Sequence, residues 1–159
     1  MTGHFKELVI RFFKFGIVGG SGVVVNLGVY VLLTRLLGLG DNLAGKYLSY
    51  AASVEVSIIT NFLLNDFWTF ADRRQEVPWR VRFSRFHLVS LVGMAINWGF
   101  FAVLNWLIET KGWTLLGDLS LFGWHTNLDD LVSACLGIIA AMAWNFFGNL
   151  LWTWKKGAP

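Results

Sequence analysis

Four long apolar stretches constrain this chain more than any other feature of its sequence. They cover residues 15–37, 44–64, 86–108 and 131–151. A helix needs roughly 20 apolar residues to cross a bilayer core about 30 Å thick, and each stretch reaches that length. Only 14% of the residues are charged, against about 25% in soluble domains. The sequence therefore predicts an all-α integral membrane protein, with four transmembrane helices in a single domain over residues 1–159.

Lysine and arginine are distributed unevenly among the segments outside these stretches. Ten lie in the N-terminal segment, in a basic loop at about 71–85 and in the C-terminal tail: Lys6, Arg11, Lys14, Arg73, Arg74, Arg80, Arg82, Arg85, Lys155 and Lys156. The other two loops hold Arg35, Lys46 and Lys111. Because cytoplasmic loops of membrane proteins carry an excess of Lys and Arg, both termini and the basic loop are predicted to face the cytoplasm. Topology then accounts for the net charge of +3, which gives no ground for expecting a nucleic-acid partner.

The chain repeats one helical hairpin. RFFKFGIVGGSGVVVNLGVY, from Arg11, aligns with RFSRFHLVSLVGMAINWGFF, from Arg82, at an offset of 71 residues. NFLLNDFWTF, from Asn61, aligns with NFFGNLLWTW, from Asn145, at an offset of 84. The difference of 13 residues predicts an insertion in the outer loop at about 109–130. Each copy contains two spans, so both copies enter the membrane in the same direction. The predicted architecture is two parallel-repeat helical hairpins, at about 11–72 and 82–156.

Small and polar residues follow one side of the second and fourth stretches at intervals of four. Ser49, Ser53, Ser57, Asn61 and Asn65 form this small-residue series in the second stretch, and Ser133, Gly137, Ala141, Asn145 and Asn149 form it in the fourth. Residues four apart lie on one helix face, and small residues allow close helix contact in lipid. Both series are therefore predicted to lie between helices. Their asparagines, like Asn26 and Asn97 of the other two stretches, either join helices or bind the hydroxyl groups of a sugar, and the sequence leaves both roles open.

Two acidic residues break the internal repeat. Glu55 lies near the middle of the second stretch and aligns with Ile139. A charged carboxylate at that depth costs at least about 2.5 kcal/mol, so we expect Glu55 to face another helix, a cavity or a second subunit. It then either serves proton coupling or substrate contact, or is a neutral or paired structural residue. Asp66 aligns with Leu150 near the inner boundary, where an arginine of the basic loop is expected to pair with it.

Basic residues flank the inner ends of the first and third stretches in both repeats: Arg11, Lys14, Arg82 and Arg85. The positive-inside rule alone explains them, and they can also attract anionic lipid headgroups or a lipid-linked phosphate. The N-terminal FKELVIRFFKF, from Phe5, is predicted to lie on the membrane surface as a short amphipathic helix before the first span.

No arrangement of residues in this sequence predicts catalysis. It contains no paired carboxylates, no Ser/His/Asp or Cys/His set and no phosphate-binding loop. The three histidines are scattered and Cys135 is the only cysteine, which argues against a metal site. We therefore expect a protein that is not an enzyme and that has neither a cofactor nor a metal.

The quoted segments resemble one known family. KFGIVGGSGVVVNLGVYVLL, from Lys14, together with NFLLNDFWTF and its echo NFFGNLLWTW, is similar to the GtrA-like family of small bacterial membrane proteins. Members often carry a basic residue where this chain has Asp66. The resemblance implies translocation of a polyprenyl-phosphate-linked sugar from the cytoplasmic to the outer leaflet of the bacterial inner membrane. It also implies a part in cell-surface polysaccharide synthesis, beside a membrane glycosyltransferase.

Under this resemblance the basic inner ends would bind the phosphate and the asparagines would bind the sugar. The candidate substrate-binding residues are Glu55, Asn26, Asn97, Asn61, Asn65, Asn145, Asn149, Lys14, Arg82 and Arg85. Four helices leave little room for a polar path. We therefore also expect a homo-oligomer surrounded by membrane lipids.

Two other functions stay open at this point. A non-transporting anchor would recruit a glycosyltransferase through the basic loop and would have no need of an acidic residue inside the membrane. A proton-coupled exporter of small cations would use Glu55. The four-helix multidrug transporters with such a residue carry it in the first span and lack this duplication, so the exporter is the weaker alternative.

Overall fold

Four long helices make up most of the structure. The computed structural model describes residues 3–112, 114, 117–121 and 124–155, and of residues 118–121 and 124–127 it describes the backbone alone. The helices are α1 (Gly3–Val31), α2 (Leu43–Leu64), α3 (Trp79–Lys111) and α4 (Leu128–Gly148). Three of them continue into a π-helical turn, at Leu32–Leu36, Asn65–Thr69 and Asn149–Thr153. Short 3-10 turns lie at Leu39–Asp41 and Ala71–Arg73.

All four helices are long and apolar enough to span a membrane, which confirms the predicted four-helix transmembrane fold. With their π-helical turns they hold 26 to 34 residues, or about 39 to 51 Å at 1.5 Å per residue. This exceeds a hydrocarbon core of about 30 Å, so the helices tilt or extend into the headgroup regions. Large apolar side chains such as Val24 (72% exposed) and Trp98 (77% exposed) lie on the surface, as lipid-facing residues do.

The prediction of a separate interfacial helix at the N-terminus is wrong, because α1 runs without a break from Gly3 to Val31. No proline occurs in this segment, and after Gly3 the next glycine is Gly16. Nothing in the segment therefore ends a helix. Arg11 and Lys14 consequently lie on the same continuous helix as the first span.

A short β-hairpin lies in the predicted outer insertion. Its antiparallel strands are β1 (Asp118–Leu121) and β2 (Trp124–Asn127). The backbone amide of Leu128 donates to the carbonyl of Gly117, so the hairpin leads directly into α4. The sequence did not predict this hairpin, because a strand of four residues shows too little alternation to be recognised.

The chain divides into two compact units, Met1–His87 with Leu150–Pro159, and Leu88–Asn149. The first unit has a core of aromatic side chains, each no more than 7% exposed: Phe15, Phe62, Phe70, Phe86 and Trp154. The buried residues of the second unit include Val89, Ser133, Ala141 and Phe146. The units do not coincide with the repeats at about 11–72 and 82–156, whose boundaries stay a prediction.

Both small-residue series face the interior of their units, which confirms the prediction that they are buried between helices. Ser53 is fully buried in the first unit, and Ser133 in the second. In the first unit a Cβ on Gly22 would overlap the carboxamide of Asn61. In the second unit a Cβ on Gly93 would overlap the carboxamide of Asn145. The absence of a side chain thus brings α1 close to α2, and α3 close to α4, at positions that the two offsets pair.

Candidate functional site

An ion pair is buried where α2 ends. The side chain of Asp66, in the π-helical turn Asn65–Thr69, is 2% exposed. Nε and Nη2 of Arg82 donate to Oδ1 and Oδ2 of Asp66 at 2.7 and 2.9 Å. The indole of Trp154 also donates to Oδ1, at 2.9 Å. Arg82 belongs to the predicted basic loop, so the expected pairing of Asp66 with an arginine of that loop is confirmed.

Arg82 also forms hydrogen bonds with the backbone of the connection that precedes α3. Its Nη1 donates to the backbone carbonyls of Arg74 and Val77. The guanidinium is therefore largely engaged within the protein, where it joins the end of α2 to the following connection. Its predicted role in binding a substrate phosphate stays a prediction.

Aromatic rings surround the indole that donates to Asp66. Phe70 stacks on Trp154 with the ring centroids 4.4 Å apart. Phe86 meets the same indole edge-on at 5.8 Å, and Phe62 stacks on it at 6.0 Å. These rings exclude water from one side of the ion pair, and a low local dielectric strengthens the attraction between its charges.

A cavity of about 440 Å³ opens beside this ion pair, and we call it the basal cavity. It is lined by Asp66, Phe67, Arg74, Gln75, Val77, Pro78, Trp79 and Arg82. The guanidinium of Arg74 lies 5.3 Å from the ring centroid of Phe67, and in the described part of the chain it forms no ion pair. Because Arg82 balances the charge of Asp66, Arg74 leaves the lining with a net positive charge. A cation, an amide and a half-exposed indole can together bind a phosphate and the sugar attached to it.

Arg11, which aligns with Arg82, is also buried and paired. Its Nη1 and Nη2 donate to Asp72 at 2.8 and 2.6 Å, and Nη2 also donates to Glu7 at 2.5 Å. The hydrogen bonds from Arg11 hold the pKa of Asp72 below its usual range. Nη1 reaches the carbonyl of Thr69 at 3.3 Å as well. The hydrogen bonds of Arg11 thus connect α1 to the segment that follows α2.

Two further basic residues lie over indole rings at matching positions. Nζ of Lys14 is 5.5 Å from the ring centroid of Trp68. The guanidinium of Arg85 is 5.5 Å from the ring centroid of Trp152, and its Nη1 donates to the carbonyl of Trp152 at 2.9 Å. Both indoles are 44% exposed. Such cation–indole pairs suit the headgroup level of a bilayer, where cations attract anionic lipids.

The candidate asparagines of α2 and α4 bond along their own helices. Nδ2 of Asn65 donates to the carbonyl of Asn61 at 2.9 Å, and Nδ2 of Asn149 donates to the carbonyl of Asn145 at 2.7 Å. The Oδ1 atoms of Asn61, Asn65 and Asn145 are buried, and none has a hydrogen-bond partner among the described residues. An unsatisfied buried acceptor is costly. A role of these asparagines in binding a sugar stays a prediction.

The other two candidate asparagines are half-buried. A Cβ on Gly137 would lie 2.6 Å from Oδ1 of Asn97, so Asn97 marks a close approach of α3 to α4 within the second unit. Asn26 lies on α1 in the first unit. A role of either residue in substrate binding stays a prediction.

Glu55 faces another helix, which is one of the three surroundings expected for it. Its Oε1 lies 3.6 Å from Nε2 of His87 on α3, and the two side chains are 52% and 25% exposed. The sequence reasoning missed His87 as the partner. The signal was present, because His87 aligns with Gly16 and so breaks the repeat as Glu55 does. Among the described residues no group of three or more His, Cys, Asp or Glu side chains can hold a metal ion.

Comparison with known proteins gives two similarities. The family model described as GtrA/DPMS, transmembrane domain, matches residues 14–154. A protein of Pyrococcus furiosus named dolichol-phosphate mannosyltransferase is 37% identical over 102 residues. That match covers 64% of this chain and 26% of the relative, so the chain spans about a quarter of the relative's length.

Proposed function

This chain belongs to the GtrA/DPMS transmembrane-domain family, and from this premise we propose that it translocates a polyprenyl-phosphate-linked monosaccharide across the bacterial cytoplasmic membrane. The product would serve cell-surface polysaccharide synthesis or glycosylation on the outer side. The basal cavity is the observation that carries this proposal. The similar protein is named for a dolichol phosphate, which like a polyprenyl phosphate is the phosphate ester of a long isoprenoid alcohol, and this supports the same class of lipid.

The lining of the basal cavity suits the headgroup of such a lipid. Arg74 donates charge-assisted hydrogen bonds to the phosphate, while Gln75 and Trp79 contact the sugar. Arg82 shields the phosphate from the negative charge of Asp66. The polyprenyl chain lies in the bilayer against the apolar outer surface of the helices.

Flipping by the purified protein in liposomes tests the proposal. The substrate is a short-chain polyprenyl-phosphate mannose, and its transfer between leaflets is followed by its accessibility to a membrane-impermeant reagent. We expect Arg74→Gln to slow transfer about tenfold, the effect of about 1.4 kcal/mol of lost interaction. Arg80→Gln is the matched control, because Arg80 lies nearby, in the first turn of α3, but does not line the cavity. The proposal fails if the wild-type protein does not accelerate transfer where a known flippase does.

Glu55→Gln tests whether the membrane-embedded acid takes part. Its carboxylate is half-exposed beside His87, where it can contact the sugar or carry a proton during transfer. We expect slower transfer from Glu55→Gln with an unchanged thermal midpoint. Unchanged transfer would remove Glu55 from the substrate-binding residues.

A second candidate function is a membrane anchor for a glycosyltransferase, with no catalysis by this chain itself. One observation favours it: the match accounts for only 26% of a longer protein named as a mannosyltransferase. In this case the basic loop is the docking surface. Arg74→Gln/Arg80→Gln should abolish the recovery of a co-expressed membrane glycosyltransferase by affinity capture, and Glu55→Gln should leave recovery unchanged. Arg73 is left intact, since it lies within 3.5 Å of backbone carbonyls of Leu150 and Trp154.

A further inference from the structure

The connection between α1 and α2 encloses a second cavity, of about 430 Å³. We call it the tip cavity, and it is lined by Tyr30, Thr34, Arg35, Gly38, Gly40, Asp41 and Lys46. Gly38 has a left-handed backbone (φ 71°), and a Cβ on Gly40 would lie 2.7 Å from the carbonyl oxygen of Thr34. Glycine at these two positions therefore lets the chain turn tightly enough to form the cavity.

The tip cavity is cationic on the side where the sequence otherwise avoids positive charge. Arg35 and Lys46 are two of the three basic residues outside the predicted cytoplasmic segments, and both line it. In the described part of the chain neither forms an ion pair. Lys46 also lies near the N-terminus of α2, where the helix dipole adds positive potential. With Asp41 as the one acidic residue of the lining, the cavity keeps a net positive charge.

The two cavities lie one membrane thickness apart. Lys46 lines the tip cavity, and Asp66, 20 residues later along α2 and its π-helical turn, lines the basal cavity. At 1.5 Å per residue this separation is about 30 Å, which equals the hydrocarbon core of a bilayer. A protein that spans the membrane with α2 therefore presents one cationic cavity at each surface.

We propose that the tip cavity binds the phosphate of a lipid in the leaflet opposite the basal cavity. Arg35 and Lys46 donate to the phosphate oxygens, and the phenol of Tyr30 is the neutral donor beside them. This inference rests on the proposed function and extends it: the basal cavity takes the lipid phosphate at one surface, and the tip cavity receives it at the other. The shared chemistry is a phosphate ester at the membrane surface, on a polyprenol or on a phospholipid.

Binding of farnesyl phosphate to the full chain in phosphatidylcholine nanodiscs tests this site. All variants carry Arg74→Gln, which removes from the basal cavity the cation that Asp66 does not balance. We expect Arg35→Gln/Lys46→Gln to raise the Kd about tenfold or more. Arg35→Lys/Lys46→Arg keeps both charges and should keep the affinity. Lys111→Gln is the control on the same predicted face, because Lys111 lies over Trp106 and does not line the cavity.

The competitors distinguish the sources of the phosphate. If phosphatidylglycerol displaces farnesyl phosphate, the site binds any lipid phosphate. If phosphatidylglycerol does not displace farnesyl phosphate, the site is selective for polyprenyl phosphate. Inorganic phosphate that competes at equal concentration overturns a lipid ligand. An unchanged Kd in Arg35→Gln/Lys46→Gln overturns the site.

Flipping measurements separate this inference from the proposed function. Absence of flipping by the wild-type protein, with farnesyl phosphate binding retained by Arg74→Gln, removes the function and leaves the site. If Arg35→Gln/Lys46→Gln, with native Arg74, flips the lipid at the wild-type rate, the tip cavity does not receive the transported lipid and the proposed function stands.

Discussion

Asp66 and Glu55 show two ways in which this protein accommodates a carboxylate in an apolar helix. Asp66 is buried and accepts hydrogen bonds from Arg82 and Trp154. Glu55 is half-exposed and has His87 at 3.6 Å. Partners on both sides of a buried charge offset much of the cost of removing it from water. Asp66 therefore stabilises the first unit by joining Arg82 and Trp154, while the carboxylate of Glu55 is accessible to a ligand.

Loss of the Asp66 charge should destabilise the protein strongly. Asp66→Asn leaves the Arg82 guanidinium buried without its counter-charge, which we expect to cost roughly 3 to 5 kcal/mol. The measurement is the thermal unfolding midpoint in detergent. Glu109→Gln is the control, because Glu109 is exposed at the end of α3. The double change Asp66→Leu/Arg82→Met removes both charges and should recover part of the loss; no recovery would show that the ion pair is not the cause.

Stability should fall at acid pH through Asp72, which lies in the connection between α2 and α3. Arg11 lowers the pKa of Asp72 in the folded protein. The stabilisation is therefore complete above the unfolded pKa, about 4, and is lost as the pH falls through the lower folded pKa. We expect the unfolding midpoint of the wild type to fall between roughly pH 5 and pH 2 by more than that of Asp72→Asn. Equal decreases in the two proteins would contradict this role.

At the scale of helices, the same local contacts occur at the two pairs of positions that the sequence offsets relate. A carboxamide lies against a glycine in each unit, and a cation lies over an indole for both Lys14 and Arg85. The π-helical turns Asn65–Thr69 and Asn149–Thr153 also correspond at the offset of 84. Recurrence at matching positions indicates that the glycine and asparagine residues set the distance between paired helices.

A double-mutant cycle tests the contact between α1 and α2. A methyl group on Gly22 overlaps the carboxamide of Asn61, so we expect Gly22→Ala to cost about 1 to 3 kcal/mol of stability, as overpacking does. In the Asn61→Ala background the overlap is gone, and Gly22→Ala should be close to neutral. Gly19→Ala is the matched control, since a Cβ there meets nothing within 4 Å. An equal cost of Gly22→Ala in both backgrounds would exclude the carboxamide as the cause.

At the scale of the whole molecule, the orientation in the membrane decides which cavity is open to the cytoplasm. The excess of Lys and Arg in the basic loop predicts a cytoplasmic basal cavity. The tip cavity, about 30 Å away along α2, then opens to the outside. Transport from the cytoplasm requires this order, whereas the local geometry is the same in either orientation.

Single cysteines in a Cys135→Ser background test the orientation. A membrane-impermeant maleimide should label Leu37→Cys in intact cells, because Leu37 is exposed in the connection between α1 and α2. Ala71→Cys, in the connection between α2 and α3, should react only in inverted vesicles. The opposite pattern would place the basal cavity outside and would reverse the proposed direction of transport.

Some properties of this protein follow from its sequence alone. The four spans, the repeat offsets and the burial of the small-residue series depend on length, hydropathy and the spacing of residues within a helix, which are local properties. The expected ion pair of Asp66 also follows from the sequence. An acid at the inner boundary needs a nearby cation, and the predicted basic loop holds five arginines.

Other properties depend on which distant residues the tertiary structure brings together. Only the packing of α2 against α3 selects Arg82 for Asp66 and places His87, 32 residues away in sequence, beside Glu55. The two cavities likewise exist because connections fold back on the helix ends, with Arg74 at one and Arg35 and Lys46 at the other. A pattern of hydropathy records that a helix crosses the membrane, but it carries no information about side chains that meet across helices.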